Sequence, residues 1–386
     1  MSKVVQYYSV MFGADPELFF AKKDGEVIGA EKILPATGRI DKFVLDGVQV
    51  ELNPNPDTCR ARFSNQLAVS FRTLRDQVLK TKGVDLSFEG VVTVSKEELA
   101  SLSEKSRLLG CGPSLNHYDK DATIGVNPAT YQKRSAGGHI HLGFSGAHEM
   151  MAHRTELVPI LDALVGNTAV LIDRDPNAVE RRKVYGRAGE HRLPNHGVEY
   201  RTLSNFWLRN YKLMSLMFGL SRLATSVLYT TYKTPPAPFN ENSFKGYHYS
   251  PTQLAVMKKQ YEDRIAADQP WDAKSRLLDA VDLKKIAHAI NTNDADLAWE
   301  NWQPVKAFLE EHVTAYMDCL GLGYGMTDTF EWFAKKVQEK GLSHFFPLDP
   351  LKHWCSKQDG HGTGWESWCT GELLILRNQA SVMPRT

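Results

Sequence analysis

Gly137-Gly138-His139-Ile140-His141-Leu142-Gly143-Phe144 is the stretch that decides how this chain is read. Two glycines open it, and polar and apolar residues then alternate, the pattern of a strand with one face buried. His139 and His141 share one side of such a strand, and Ile140 and Leu142 pack on the other. Three further segments repeat the arrangement. Asp15 and Glu17 stand two apart in FGADPELFF, Glu199 and Arg201 stand two apart in GVEYRTL, and Glu51 lies between Val50 and Leu52 in VQVELNP. If these faces coincide, the sheet has an apolar back and a front bearing four carboxylates, two imidazoles and a guanidinium.

Four carboxylates gathered out of water are prohibitive unless a cation sits among them, because burial and like charge both oppose ionisation. A divalent ion resolves the problem. Oxygen-rich sites with an imidazole suit Mg²⁺ or Mn²⁺ and match a thiolate-rich structural zinc site poorly. Taken singly, each motif has a plainer account: a solvated strand face, a surface pair of histidines, a turn glycine. Their co-occurrence on four β-type segments favours the metal. A basic run, RRKVYGRAGEHR, contributes Arg181, Arg182, Arg187 and Arg192 just ahead of Glu199. Guanidinium forks of this kind grip phosphate or carboxylate. There is no P-loop, no Gly-x-Gly-x-x-Gly after a strand and no Gly-x-Ser-x-Gly elbow, so a nucleotide would be held by metal and arginines.

Outward from these motifs, the first half reads as short strands separated by Gly, Pro and Asn turns. They are Val4 to Phe12, Glu17 to Ala21, Glu26 to Ala30, Val44 to Leu52, Val84 to Val94, His139 to Phe144 and Gly197 to Leu203. Helices are expected over Asn65 to Lys80 and Ala147 to Asp173, with a capping box at Ser95 to Glu98. After Asn205 the chain turns helical, with an apolar face from Leu213 to Val227 and further helices over Pro251 to Ala266, Ala273 to Ile290, Pro304 to Leu320 and Asp328 to Lys340. The expected class is α+β: a mostly antiparallel sheet flanked by helices, followed by a helical C-terminal region. The expected divisions are a catalytic domain over 1–233, a helical region over 244–345 packed on it, and an irregular tail over 346–386.

The 386 residues carry 46 Lys+Arg against 45 Asp+Glu, a balance that argues against a sequence-blind nucleic-acid binder. The longest apolar run, Leu213 to Leu220, is too short to span a bilayer, so no membrane partner is expected. Five cysteines with no close-spaced pair and no secretory leader point to a reducing, cytoplasmic setting. An oligomer is compatible with the aromatics of the second half.

In this order the motifs resemble the glutamine synthetase/glutamate–cysteine ligase superfamily of carboxylate–amine ligases, and within it the phage amidoligase (COOH-NH2 ligase type 2) branch. Gly13-Ala14-Asp15-Pro16-Glu17 resembles the opening acidic strand, although Asp15 stands where that family has glutamate. Val50-Glu51-Leu52-Asn53-Pro54 resembles the second acidic strand, GGHIHLGF the His-x-His strand, and Glu199-Tyr200-Arg201 the late Glu-x-Arg strand. The resemblance implies a curved sheet of glutamine synthetase-like type and an ATP- and Mg²⁺-dependent (or Mn²⁺-dependent) ligase that joins a carboxylate to an amine through an acyl phosphate. It implies one ion on Glu17 and Glu51 and a second on Asp15, His139 and Glu199. His141, Arg192 and Arg201 would contact nucleotide, and Arg201 with Arg182 and Arg187 would stabilise the transferring phosphoryl group. Three rival readings are a phosphotransferase of guanidino-kinase type, a metal-dependent hydrolase using His139 and His141, and a non-catalytic binding protein.

Overall fold

The alternating segments form strands, and every pairing between named strands is antiparallel. In the computed structural model the described residues are 10–108, 114–120, 127, 130–144, 148–232, 238–244, 249–267, 271–312, 326–341 and 349–356. Along the chain, the strands of the first hundred residues are β1 (Met11–Ala14), β2 (Glu17–Ala21), β3 (Val27–Ile28), β4 (Arg39–Ile40), β5 (Phe43–Asp46), β6 (Gln49–Leu52), β7 (Asp85–Ser87) and β8 (Val91–Thr93). Then follow β9 (Leu115–Asn116), β10 (Lys133–Ser135), β11 (Ile140–Gly143), β12 (Glu190–Arg192) and β13 (Gly197–Tyr200). One sheet has the order β1-β11-β13-β12-β9, and a second runs β3-β2-β6-β5-β4 with β7 also paired to β2. The strands β8 and β10 pair separately.

The two large sheets meet at Asp15-Pro16, where the chain leaves the first and enters the second. Pro16 has no N–H to lose there, and its carbonyl accepts from the Leu52 amide at 2.9 Å. One residue on, the Glu17 amide donates to the Gly137 carbonyl at 2.9 Å. The back of the first sheet is apolar. Phe12, Ile140, Leu142, Val198 and Tyr200 share one hydrophobic cluster with Leu216, Leu220 and Leu223 of the helix Tyr211–Tyr232, and that cluster runs on to Ile290, Trp302 and Trp354. A single continuous core therefore joins the sheets to the later helices. The helix Tyr211–Tyr232 is long and apolar enough to cross a membrane, but it is almost wholly buried in this core. It runs on past Ser221, as the apolar face to Val227 implies, and the Ser221 hydroxyl donates to the Met217 carbonyl at 2.8 Å within the helix.

The α+β class is borne out, and several element boundaries differ from expectation. Val44 to Leu52 is a hairpin rather than one strand: Asp46 pairs with Gln49 across Gly47, whose φ of 61° suits a tight turn. Val84 to Val94 divides into β7 and β8 around Gly90. The helix Arg60–Leu74 continues through a π-turn, Arg75–Leu79, to Lys82. Ala147 to Asp173 is a chain of short helical segments, and Ala273 to Ile290 breaks into Ala273–Ala280 and Leu283–Thr292, the second capped by Asp282. Pro304 lies inside the helix Ala295–His312 instead of starting one. Residues 4–9 of the first expected strand, and 313–320 of an expected helix, fall outside the described residues. In the expected irregular tail, Pro350–Ser356 is helical, and the indole of Trp354 stacks on Phe71 while donating to the Leu208 carbonyl at 2.6 Å. Cys59 is disulfide-bonded, against the expectation from a reducing compartment.

Behind β13, the Tyr200 hydroxyl donates to the wholly buried Asp162 at 2.7 Å. Burial pushes the Asp162 carboxyl up to about 7, against the hydrogen bonds from Tyr200 and Tyr118. An acid with a higher pKa folded than unfolded stabilises the fold fully at acid pH, and that contribution is lost as pH rises through the folded value. Between about pH 4 and 7 the wild type should lose stability from this group, on the order of 4 kcal/mol. Asp162→Asn should flatten that slope in urea unfolding, and an unchanged slope would remove Asp162 as its source.

Candidate active site

The cross-strand register brings the charged positions together. Glu17 of β2 sits directly opposite Glu51 of β6. In the other sheet, Gly13, His141 and Glu199 are aligned across β1, β11 and β13, and Arg192 of β12 pairs with Glu199. Two clusters result. Glu17, Asp46 and Glu51 each offer a carboxylate oxygen, all within 4.8 Å of one another, and Asp15, His141 and Glu199 offer ligand atoms within the same span. His139 adjoins the second cluster, its Nδ1 at 3.3 Å from Asp15 and 3.7 Å from Glu199.

Glu17 is fully buried and tightly held. Its Oε2 accepts from the Gly137 amide at 2.7 Å, the Tyr185 hydroxyl at 2.8 Å and the Gln49 side chain at 3.4 Å. Glu51 accepts from Asn53 at 2.7 Å. Gly137 and Gly138 are packing necessities as much as turn residues. A Cβ on Gly137 would overlap the His139 ring, and one on Gly138 would overlap the Ser204 carbonyl.

The electrostatics follow from crowding. Burial, then the charges of Asp15, Asp46 and Glu17, push the Glu51 carboxyl up to about 8. Burial, then Glu17 and Asp15, push Asp46 up to about 7, with Arg192 and Arg201 opposing. Burial would raise Asp15 too, but His139 and His141 outweigh it and hold that carboxyl well below the usual range. Burial would lower His141, yet its hydrogen bond and attraction to Asp15 raise it.

Asp15, Glu17, Glu51, His139, His141, Glu199, Arg192 and Arg201 thus face one region, Arg192 lying 3.5 Å and Arg201 3.0 Å from Glu199. The structure does not bring Arg182 and Arg187 there by any contact among the described residues. Arg182 donates to Asn293 at 3.0 Å, and Arg187 pairs with Glu190 at 3.0 Å. Asp46 and Tyr185 were missed by sequence reasoning. Asp46-Gly47 is a hairpin signal that would have placed Asp46 beside Glu51. Tyr185 had no signal beyond its place in the basic run. Its ring meets the His139 ring edge to face at 5.8 Å and lies under the Arg181 guanidinium at 4.7 Å.

A divalent ion fits this donor set. Asp15, His141 and Glu199 gather their ligand atoms within 4.8 Å, His139 Nε2 is buried without a hydrogen-bond partner, and the first cluster is all carboxylate oxygen, the chemistry Mg²⁺ prefers.

Residues 121–299 match the family described as phage phiEco32-like COOH.NH2 ligase-type 2. The matched region holds His139, His141, Glu199 and Arg201, and the resemblance to carboxylate–amine ligases read from the motifs is borne out. The family match supports an enzyme of the ligase type. Among solved structures, a bifunctional glutathione synthetase from Pasteurella multocida aligns at 10% identity and a TM-score of 0.35, covering 86% of this chain. The alignment spans 52% of that synthetase's length. No curated protein matches.

Tyr185→Phe should weaken Mg²⁺ binding by about 10- to 100-fold, as loss of an outer partner of a ligand does, with the circular dichroism unchanged. Titration calorimetry showing wild-type affinity would mean that Tyr185 does not hold Glu17 for a metal.

Proposed function

We propose that this chain is an ATP- and Mg²⁺-dependent carboxylate–amine ligase working through an acyl phosphate, on a curved sheet of glutamine synthetase-like type. The observation that carries this reading is the convergence of two acidic clusters beside Arg192 and Arg201, of which His141, Arg192, Glu199 and Arg201 lie in the residues that match a ligase family. Residues 1–233 would form the catalytic domain, 244–345 a helical region against it and 346–386 a tail. Use of ATP would suit a cytoplasmic setting, against which the disulfide at Cys59 stands.

Glu17, Asp46 and Glu51 would hold one ion, and Asp15, Glu199 and the imidazoles of His139 and His141 a second. Mn²⁺ would suit the same donors. Bound there, such ions supply charge neutralisation on the phosphate oxygens. The chain's own groups do the rest. Arg201, wholly buried and fixed by Glu199 and Ser114, presents a preorganised charge to the phosphoryl group as it transfers from ATP to the substrate carboxylate. Arg192, partly exposed, reaches the same region from the neighbouring strand, where His141 would also contact nucleotide. Arg182 and Arg187 act one step removed, shaping the basic segment. The acyl phosphate is then attacked by an amine, whose proton passes to a site carboxylate while phosphate leaves.

The test is phosphate release from ATP and Mg²⁺ against a matrix of carboxylates and amines, with mass spectrometry of products. A product equal in mass to the two substrates less one water supports the ligase, whereas a phosphorylated amine as end product would make it a phosphotransferase. Mg²⁺ should raise the melting temperature of the wild type and raise that of Glu51→Gln by less, because only the second ion still binds. An equal Mg²⁺ shift in the variant would take Glu51 out of the metal site. Arg201→Lys should lower kcat by about 10²-fold, because a fixed fork becomes a mobile point charge. Wild-type turnover in that variant would end the assignment.

A further inference from the structure

The two imidazoles of the His-x-His strand are held in different ways. His139 is buried, packed against Gly137 and meeting the Tyr185 ring edge to face. Packing fixes that ring, and no hydrogen bond reaches its Nε2. His141 is partly exposed and borders a cavity of about 640 Å³, so packing leaves one side of its ring open. A histidine χ2 is a broad, roughly two-fold torsion, and half a turn about it exchanges a ring nitrogen for a carbon. A specific partner is needed to keep a nitrogen of His141 on the cluster.

His196 supplies that contact. His141 Nε2 lies 3.2 Å from Asp15 Oδ2, and His141 Nδ1 lies 3.2 Å from His196 Nε2. The two ring centroids are 5.3 Å apart, with the planes tilted by 34°. The group whose ligand atoms lie within 4.8 Å of one another is Asp15, His141 and Glu199, and His196 stands behind it. The sequence sets His196 there by a turn. In Pro194-Asn195-His196-Gly197 the Gly197 amide donates to the Pro194 carbonyl at 3.0 Å, closing the connection between β12 and β13. The Phe144 amide donates to the His196 carbonyl at 2.9 Å, which pins the turn to the end of β11. Gly197 permits this approach, because a Cβ there would lie 1.9 Å from the Leu142 carbonyl oxygen. The backbone of His196 is thus anchored although the residue is exposed.

The placement of one proton gives the contact its direction. An imidazole nitrogen that binds a metal carries no proton, so a neutral His141 with Nε2 on an ion must carry its proton on Nδ1. That N–H then points at His196 Nε2, which accepts while its own proton sits on Nδ1. Outer partners of this kind fix the tautomer and the orientation of a ligating histidine.

We propose that His196 is a positioning residue for the second ion: its Nε2 accepts from His141 Nδ1 and holds His141 Nε2 toward the site shared with Asp15 and Glu199. This rests on the metal reading of that cluster and adds a residue that two-residue spacing does not single out.

The full chain, without ATP or substrates, is titrated with Mn²⁺ and followed by the nitrogen hyperfine modulation in the electron spin echo of the bound ion. The first cluster is all carboxylate oxygen, so this signal reports the imidazole-bearing site. His196→Ala should raise the Mn²⁺ concentration at half-maximal signal by about 10- to 100-fold, with the circular dichroism unchanged. His196→Gln keeps an acceptor in reach and should restore most of that affinity. An unmoved midpoint in His196→Ala, or an equal loss in His196→Gln, would overturn the proposal. A His196 that served only to touch substrate would leave every midpoint in place, since none is present. A wild type with no nitrogen-coupled Mn²⁺ would instead remove the second ion itself and this inference with it, so the two failures are told apart.

Discussion

Five carboxylates, from Asp15, Glu17, Asp46, Glu51 and Glu199, meet where two sheets join, and the surrounding structure is organised by their mutual repulsion. The two clusters answer it differently. At the second, cationic partners are built in: Asp15 has both histidines, and Glu199 has Arg192 and Arg201. At the first, Glu17 and Glu51 accept hydrogen bonds from an amide N–H, a phenol and two carboxamides. Neutral donors orient a carboxylate without cancelling its charge. The deficit accordingly collects on Asp46 and Glu51, whose carboxyls are the ones pushed up. A dication placed among Glu17, Asp46 and Glu51 would relieve it, which is the physical ground for the proposed ion there.

Bringing the strands close enough for this depends on small residues and on Pro16. The chain changes sheets at Asp15-Pro16, where a proline costs no ladder bond, so β1 and β2 run on as one path through both sheets. Gly137 and Gly138 let the His139 segment lie against Glu17 and Ser204 with no intervening side chain. Tyr185 fills the remaining space and ties Glu17 to the Ser135 carbonyl, at 3.2 Å from its hydroxyl. Each of these residues matters through shape, and each is costly to replace for that reason.

The antiparallel class, the facing of the ionisable residues and most of the cluster were legible because strand alternation is a local property. Asp15, Glu17, His139, His141, Glu199 and Arg201 were readable from two-residue spacing, and Glu51 from its place between Val50 and Leu52. What was not legible depended on the third dimension. Asp46 joins the cluster only because Gly47 folds β5 back on β6. His141, rather than His139, completes the grouping with Asp15 and Glu199, since both imidazoles share a face and spacing cannot rank them. The breaks in the expected helices were likewise invisible to periodicity. Asp282 caps a new helix where the apolar pattern runs on, and π-turns at Arg75–Leu79 and Asp162–Gly166 interrupt helices without interrupting that pattern.

The basic segment shows how sequence proximity and function part company. Arg181, Arg182, Arg187 and Arg192 read as one patch, yet the fold spends them separately. Arg181 donates to the carbonyls of Thr202 and Leu203, which fixes the segment that follows Arg201. Arg182 reaches Asn293 at the end of the helix Leu283–Thr292, and burial lowers its guanidinium to about 10. The Ala188 amide likewise donates to Asn291 at 2.9 Å. The segment is thereby moored to the helical half on one side and to β12 and β13 on the other. Only Arg192, carried on a paired strand, retains both access to solvent and a fixed distance from Glu199. That division of labour gives the C-terminal helices a role in the proposed chemistry without supplying a reacting group: they hold the arginine-bearing strand in register with the acidic one.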